Sequence, residues 1–263
     1  MQFGSYVFPT GWSCTTDTDE QTVPMVPIPR AQGGAWLTAQ RKPRRWELSG
    51  GFTNDLVPNT GGASVRTAID SLKAALLAGP SNFYLDTDRY WRNVQVETAP
   101  TDWEYYYGLF STCKLTLIGP DPYAYATGLS VSGDIHTSLT YTLAAGNAFA
   151  LPAWYLYASQ PLNTVFSWSW TNATAGEAMT LSGAWPVSGA GYLVVDTLAQ
   201  TVQSAASLGG TPGPADASGS MTSVFALFEG QMPRMVQGGN VFSLAYTGFA
   251  PTGAWAQYAA RWL

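Results

Sequence analysis

Apolar and polar residues alternate along most of this chain, as they do in strands whose two faces meet different surroundings. RWELSGGF places Trp46, Leu48 and Phe52 on one face, and the RKPRR stretch supplies a turn between it and AWLTAQ. NFYLDTD, YWRNVQVET and YYYGLFSTCKLTLIG follow as further strands, and the last puts Leu115 and Leu117 on one side. The pattern predicts a hairpin with a basic tip, followed by successive strands with tight turns.

A single segment has helical spacing instead. Val65, Ile69 and Leu72 recur three or four residues apart, Ser64 is placed to cap the helix, and a Gly-Pro pair stops it. We therefore expect one helix over residues 64–78, with its apolar stripe packed on a sheet.

The alternating pattern breaks at Gly119–Pro122, where two prolines remove two amide donors from any sheet ladder. Beyond it the chain consists of short alternating runs divided by Gly, Asn, Ser and Pro, which is typical of an antiparallel sandwich. At 263 residues the chain is long enough for two domains. We expect a mainly β protein with two β-sandwich domains, residues 1–126 with the helix and residues 127–263, and a long irregular loop at Ser207–Met221.

Charge is scarce and unevenly distributed. Charged residues make up 11% of the chain, against about 25% in ordinary soluble proteins. The formal net charge of −5 argues against tight nucleic-acid binding, because Lys and Arg must displace counterions from phosphates. After Asp134 the only cations are Arg234 and Arg261, so the second half is nearly neutral. With 11 Trp and 14 Tyr, such a surface suits sheets and subunit contacts.

No metal site, disulfide framework or cofactor is indicated. The two cysteines, Cys14 and Cys113, form no CxxC motif, and His136 has no second histidine at ligand spacing. The N-terminal stretch lacks a signal-peptide pattern, and no run of about 18 apolar residues is present for a membrane span. We expect a soluble protein made in a reducing cytoplasm.

No pattern points to catalysis. Asp86 and Asp88 invite comparison with a hydrolytic carboxylate pair, but a turn or an ion pair with a neighbouring arginine explains them more simply. His136 has no nucleophile in a recognised setting, and the sequence contains no GxSxG, P-loop or HExxH motif. We predict that the protein is not an enzyme, with a sandwich-fold glycosidase ranked last among its functions. Asp196 is expected to hydrogen-bond a turn.

The densest group of cations, here named the basic cluster, consists of Arg41, Lys42, Arg44 and Arg45. It is either a solvated hairpin tip or a contact for a neighbouring subunit, and a grip on DNA is least favoured by the overall charge. The sequence leaves three roles open for the acids Asp17, Asp19 and Glu20: they line a channel, they pair with this cluster, or they belong to an ordinary loop.

The second half carries a group of aromatic residues on its strands: Trp154, Tyr155, Tyr157, Trp168, Trp170 and Trp185. Exposed rings stack on sugars, which keeps a carbohydrate-binding, lectin-like function open as the alternative. Aromatic residues on alternating strands are more often half core and half interface. We expect contacts of the outer domain to come from Trp154, Trp168, Trp170 and Trp185.

Six motifs taken in order resemble the distal tail protein family of long-tailed phages over nearly the whole chain. They are PIPRAQGG (27–34), SVRTAIDSLKAALLAG, LDTDRYWRNVQVE, DPYAY (121–125), GYLVVDT (191–197) and GGNVFSLAY (238–246). The PRMVQ stretch between Leu227 and Gly239 departs from the family pattern.

This resemblance implies a homohexameric ring at the tail tip of the virion, assembled in the host cytoplasm and joining the tail tube to the baseplate. The first domain would resemble tail-tube subunits and surround a channel through which DNA passes without specific binding. The second, galectin-like domain would project outward. The implied partners are the tail tube protein, the tail hub or tip protein and receptor-binding proteins. None of the motifs is catalytic.

Overall fold

The computed structural model describes residues 1–18, 21–22, 25–27, 34–36, 40–53, 62–99, 104–106, 110–136, 140–217 and 220–262. The chain divides into two compact units, Met1–Thr127 and Gly128–Leu263. The sequence places the boundary one residue earlier, after Ala126. The described residues are mainly β-strands, as predicted, with one α-helix among them. No helix in these ranges is long and apolar enough to cross a membrane.

The first unit contains two antiparallel ladders that share one strand. One runs in the order β2-β1-β9-β10-β13, and the other joins β3, β8, β12 and β10, with β11 on the edge of β12. Asn93, in the middle of β10, has a φ of 53°, and the pairing register shifts around it. This bend lets the first half of β10 pair with β9 and β13 while its second half pairs with β12. The strands are β1 (Gln2–Phe3), β2 (Tyr6–Val7), β3 (Ser13–Thr18), β4 (Gln21–Thr22), β5 (Met25–Pro27), β6 (Gly34–Trp36), β7 (Gln40–Arg41), β8 (Arg44–Thr53), β9 (Ser81–Tyr84), β10 (Arg89–Thr98), β11 (Glu104–Tyr106), β12 (Phe110–Gly119) and β13 (Ala124–Val131).

The RKPRR stretch does not lie at a hairpin tip. β3 pairs with β8, β4 with β7 and β5 with β6, and these three pairings nest as in a single long antiparallel hairpin. AWLTAQ and RWELSGGF therefore lie on the same arm, and the prediction that they pair with each other is wrong. The alternation identifies the strands but not their partners, and Pro43 only interrupts the returning arm.

The predicted helix is confirmed as α1 (Gly62–Leu77), which begins two residues before its expected start. Ser64 therefore lies in the first turn and is not the N-cap. Val65, Ile69 and Leu72 are buried, as their spacing predicted, and the helix contacts β8. Gly79 follows the helix with a φ of 95°, a conformation that glycine adopts without strain.

Aromatic side chains fill the core of the first unit. The fully buried ring of Trp46 lies 5.2 Å from Phe83 and 5.1 Å from Trp91. Trp12 lies directly on Gly50, where an added Cβ would come within 2.3 Å of the Trp12 ring. Glycine at this position therefore lets the indole lie flat against strand β8.

Strand β12 ends at Gly119, immediately before the two prolines. The Asp121 carboxylate then accepts hydrogen bonds from the Tyr123 amide (3.1 Å) and from the buried Tyr125 hydroxyl. The aspartate-proline-tyrosine element is therefore a turn tied by its own aspartate. Strand β13 begins at Ala124 and continues past Thr127, so the boundary between the units falls within a strand.

The second unit is a sandwich of two antiparallel sheets. Sheet I has the order β23-β15-β18-β19-β20, and sheet II has the order β14-β22-β16-β17-β21. Two single 3-10 turns, Pro214–Asp216 and Phe225–Leu227, lie between strands. The strands are β14 (Thr140–Leu143), β15 (Ala153–Gln160), β16 (Val165–Asn172), β17 (Glu177–Ala184), β18 (Gly189–Asp196), β19 (Thr201–Ala206), β20 (Thr222–Ser223), β21 (Phe228–Gly230), β22 (Gly238–Thr247) and β23 (Gly253–Trp262).

The core of this unit lies between the two sheets. Trp154 on sheet I has ring centroid distances of 5.8 Å to Trp170 and 5.2 Å to Phe242, both on sheet II. The indole N–H of Trp154 donates to the Pro233 carbonyl oxygen (2.8 Å), so this large side chain is buried without losing its hydrogen bond. Rings from both sheets interdigitate and fix how the sheets face each other.

Candidate functional site

The basic cluster lies where strands β7 and β8 meet. Arg44 forms a two-pronged ion pair with Asp17, with Nε–Oδ1 and Nη2–Oδ2 distances of 2.6 Å each. Its guanidinium also lies 4.9 Å from the centre of the Trp91 ring. Asp17 is thus the acid that pairs with the cluster, one of the three roles that the sequence left open. Asp19 and Glu20 lie outside the described residues.

Arg45 is bound in the same way to Glu97 on β10, with an Nη2–Oε1 distance of 2.8 Å. Lys42 is exposed, and the Arg41 side chain lies outside the described residues. Because Arg44 and Arg45 are both held by carboxylates of the same chain, they present little net positive charge to a phosphate. Contact of the cluster with a neighbouring subunit stays a prediction.

The four tryptophans expected to make outer contacts are in the core instead. The exposed fraction of Trp154 and Trp185 is 0%, and that of Trp168 and Trp170 is 1%. The prediction that they contact a partner is therefore wrong. Each strand alternates as predicted, but the large ring is on the inward side because burying it gains the most apolar area. A sugar platform built from these rings is excluded for the same reason.

Other aromatic residues lie on the outward side of sheet I, and no local pattern in the sequence predicts their burial. Tyr155, Tyr192 and Trp255 form a separate cluster on the side of the sheet away from the core, and all three are buried. The Tyr157 ring lies 5.0 Å from Tyr192 and is half-buried. Sheet I is therefore covered on both faces.

Part of that cover is a loop tied by one carboxylate. Asp216, at the end of the 3-10 turn, accepts hydrogen bonds from the Tyr192 hydroxyl (2.9 Å), the Gly210 amide (2.7 Å) and the Ser207 hydroxyl. The Ser207 hydrogen bond is the largest of the effects that hold the pKa of Asp216 below its usual value. Burial raises the pKa of Tyr192 to about 12. In the described part of the Gly- and Pro-rich loop, residues 207–217 and 220–221, the structure is irregular as predicted, apart from this turn and a bridge at Ser207–Ala217.

The PRMVQ stretch is anchored by buried polar side chains. The side-chain amide of Asn172 donates hydrogen bonds to the Arg234 carbonyl oxygen (2.7 Å) and to Asn240 Oδ1 (3.0 Å). The Glu177 carboxylate accepts the Arg234 amide (2.8 Å) and lies 2.8 Å from Arg234 Nε. Met235 is fully buried beside them. This departure from the family pattern is thus an integral part of the core, and nothing in its sequence alone signalled that.

The candidate catalytic residues have structural partners. Asp86 Oδ1 accepts the amides of Asp88 (3.3 Å) and Arg89 (3.0 Å), so it caps the turn between β9 and β10. Burial raises the pKa of Asp86, but hydrogen bonds from Asp88 and from these amides outweigh it and lower that pKa. His136 Nδ1 lies 2.7 Å from Asp134, whose carboxylate also accepts the Ala254 amide (2.9 Å).

The remaining acid, Asp196, accepts the amides of Leu198 (2.9 Å) and Ala199 (2.8 Å), as expected for a turn. In the part of the chain that the structure describes, no three His, Cys, Asp or Glu side chains are grouped so as to hold a metal ion.

Comparison with solved structures shows that this fold is similar to that of a phage Dit protein. SPP1 Dit, described as a paradigm of the hub adsorption apparatus in phages that infect Gram-positive bacteria, aligns with a TM-score of 0.60. The alignment has 13% identity and covers 96% of this chain and 94% of SPP1 Dit. The resemblance drawn from the sequence motifs is thereby confirmed at the level of the fold.

Two structures of the phage p2 baseplate in its activated conformation also align, one with Sr and one with Ca. Their identities are 9% and 11%, they cover 94% and 98% of this chain and 90% of each matched chain, and both TM-scores are 0.48. A TM-score this low does not establish a shared fold, so the assignment rests on SPP1 Dit. The sequence matches no protein-family model, and a comparison with curated proteins gives no significant match.

Proposed function

We propose that this protein is a distal tail protein of a long-tailed phage, a structural ring that joins the tail tube to the baseplate and lets DNA pass. The single observation that carries the proposal is the likeness to SPP1 Dit along almost the whole of both chains. A match confined to one unit would have supported only a shared domain. Here the alignment covers 96% of this chain and therefore includes residues of both units.

The charge distribution supports the same proposal. A channel that passes DNA needs walls that do not retain phosphate, and a net charge of −5 suits that requirement. Arg44 and Arg45 of the basic cluster are paired with Asp17 and Glu97. These ion pairs further reduce the attraction of the cluster for the DNA duplex. In this proposal the first unit surrounds the channel, and the second, of galectin-like type, faces outward. The chain then belongs to the tail tip of the virion, with tube, hub and receptor-binding proteins as its neighbours.

The test is the assembly state of the purified chain. We expect light scattering after size-exclusion chromatography to give the mass of a hexamer, and electron microscopy to show a ring with a central hole wide enough for duplex DNA. A chain that stays monomeric at high concentration, and also in the presence of the tail tube protein, would overturn the proposal.

The basic cluster provides a matched pair of variants for the same experiment. Lys42→Glu reverses an exposed charge of the cluster, and Lys114→Glu reverses an exposed charge on β12, outside the cluster. If the cluster contacts a neighbouring subunit, Lys42→Glu shifts the chain toward smaller species and Lys114→Glu does not. Equal behaviour of the two variants would remove the cluster from the ring contact.

A further inference from the structure

The outward face of sheet II, here named the bare face, consists almost entirely of small uncharged side chains. The central strand β16 alternates strictly, with its aromatic residues inward and its Ser, Thr and Val residues outward. The register carries the same alternation to the neighbouring strands, and Ser169 lies between Ala245 on β22 and Thr180 on β17. The bare face consists of Thr140, Thr142, Val165, Ser167, Ser169, Thr171, Ala178, Thr180, Ser182, Ala184, Val241, Ser243, Ala245 and Thr247.

This face is open to solvent although it lacks the charges that keep sheets apart. Val165 is 72% exposed and Val241 is 52% exposed. Glu229 on the edge strand β21 pairs with Thr180 and therefore lies on the same side of sheet II, at the rim of the bare face. None of the fourteen members of the bare face is charged. Exposed sheet surfaces usually carry Lys and Glu, which oppose unwanted association. A face without them is suited to being covered.

The dimensions of the face match a small interface. Its four strands lie about 4.8 Å apart, and at about 3.3 Å per residue the short β14 and the three longer strands give roughly 450 to 500 Å². Pairing two such faces would bury roughly 900 to 1,000 Å² in total, which is the size of a weak or transient contact. The face has no aromatic ring to act as an anchor, so a reversible contact is expected.

We propose that the bare face binds the same face of a second copy of this chain. In a two-fold contact each residue near the axis meets its own copy, so any charge there would repel itself. The chain has a net charge of −5, yet this face adds no repulsion to the pair. Its small side chains also let two sheets approach to about 10 Å, the usual spacing of stacked sheets. The contact uses the second unit and is independent of the proposed ring.

Cross-linking tests which surface meets its own copy. Ser169 lies at the centre of the bare face, and Ser159 is exposed on sheet I. Each is changed to cysteine in a Cys14→Ser background of the full chain, where Cys113 is buried. A bismaleimide spanning about 10 Å should link Ser169→Cys chains into covalent dimers at least about tenfold faster than Ser159→Cys chains. Equal rates would overturn the proposal.

A charge at the same position gives the second test. Ser169→Lys puts two ammonium groups near the axis, so we expect the dissociation constant of the pair, from sedimentation velocity, to rise at least about tenfold. Ser159→Lys should leave it unchanged, and circular dichroism checks that both variants are folded. Unchanged pairing in a folded Ser169→Lys chain would contradict the proposal. Rings without the Ser169→Cys cross-link would refute only this inference, whereas the cross-link without rings would refute only the proposed function.

Discussion

The two sheets of the second unit share one core but differ on their outward sides. Sheet I carries Tyr155, Tyr192 and Trp255 outward, and these residues are 8%, 0% and 9% exposed. Sheet II carries small side chains outward, and its valines are largely exposed. Both sheets alternate inward and outward positions, so alternation alone does not predict which outward face is covered. The size of the outward residues predicts it, because a row of large aromatic rings left in water would lose the free energy of burying their apolar area.

The largest test of this contrast is a charge placed on each outward face. Val194 is 3% exposed on the outer side of sheet I. Val194→Asp buries an unpaired carboxylate, and we expect the free energy of unfolding to fall by more than about 3 kcal/mol. Ser169→Asp on the bare face should change it by less than about 0.5 kcal/mol when measured by urea unfolding of the dilute, unpaired chain.

Similar losses in the two variants would show that the outer sides of the sheets are alike. A Val194→Thr variant keeps the shape of the side chain but replaces one methyl group by a hydroxyl, and its loss should fall between these two values. It provides a measurement if the Val194→Asp chain does not fold.

Glycine substitutions give the next largest difference. Gly253 lies under the Trp255 ring, and an added Cβ would come within 2.2 Å of that ring. Gly253→Ala must displace the indole, and we expect a loss of about 1 to 3 kcal/mol. On the outward side of sheet II, Gly239 pairs with the bare-face residue Thr142, and an added Cβ at Gly239 meets nothing within 4 Å. Gly239→Ala should be neutral or slightly stabilising when both variants are measured by urea unfolding. A loss equal to that of Gly253→Ala would contradict the contrast between the two sheets.

A smaller effect is expected where the loop covers sheet I. Tyr192→Phe keeps the ring and removes the hydroxyl that donates to Asp216 and accepts the Gly213 amide (3.0 Å). We expect a loss of about 1 to 2 kcal/mol in urea unfolding, with faster hydrogen exchange of the Gly210 and Gly213 amides. Tyr157→Phe is the control, since Tyr157 contacts the Tyr192 ring without bonding Asp216. If the exchange rates of Tyr192→Phe stay at the wild-type value, the hydrogen bond between Tyr192 and Asp216 does not hold the loop in place.

The smallest effect is a difference in stability that is present at neutral pH and is lost in acid. The folded-state pKa of Asp216 is lowered, so its contribution to stability is full above the ordinary carboxyl pKa of about 3.9 and is lost as pH falls through the folded value. The difference in urea midpoint between wild type and Asp216→Asn should therefore be constant from neutral pH down to about pH 5 and shrink below about pH 4. If the difference in urea midpoint grows on acidification, the pKa of Asp216 is raised on folding rather than lowered, and the stabilising role of its carboxylate is refuted.

Much of the fold follows from local pattern. Val65, Ile69 and Leu72 predicted the helix because one buried stripe requires that spacing. Pro120 and Pro122 predicted the end of β12, because neither supplies an amide donor. These inferences succeed because each depends on residues that are neighbours in sequence.

The errors concern contacts between residues distant in sequence. The nested pairing of β3 with β8 joins strands that lie some thirty residues apart, and no local signal selects it over a short hairpin. The inward position of Trp168 depends on which side of β16 meets sheet I. In the sequence Asp216 is one acid of a loop, and only the folded structure brings the hydroxyls of Tyr192 and Ser207 to its carboxylate.

The distribution of cations has a practical consequence for dissecting the molecule. Trypsin cleaves after Lys and Arg, and of the 12 such residues in the chain only Arg234 and Arg261 lie in the second unit. Arg261 is 3% exposed, and Arg234 is held by Glu177. Brief digestion of the native chain should therefore degrade the first unit at its many cleavage sites and leave the sandwich as a resistant fragment beginning at Leu115, ready for separate physical study.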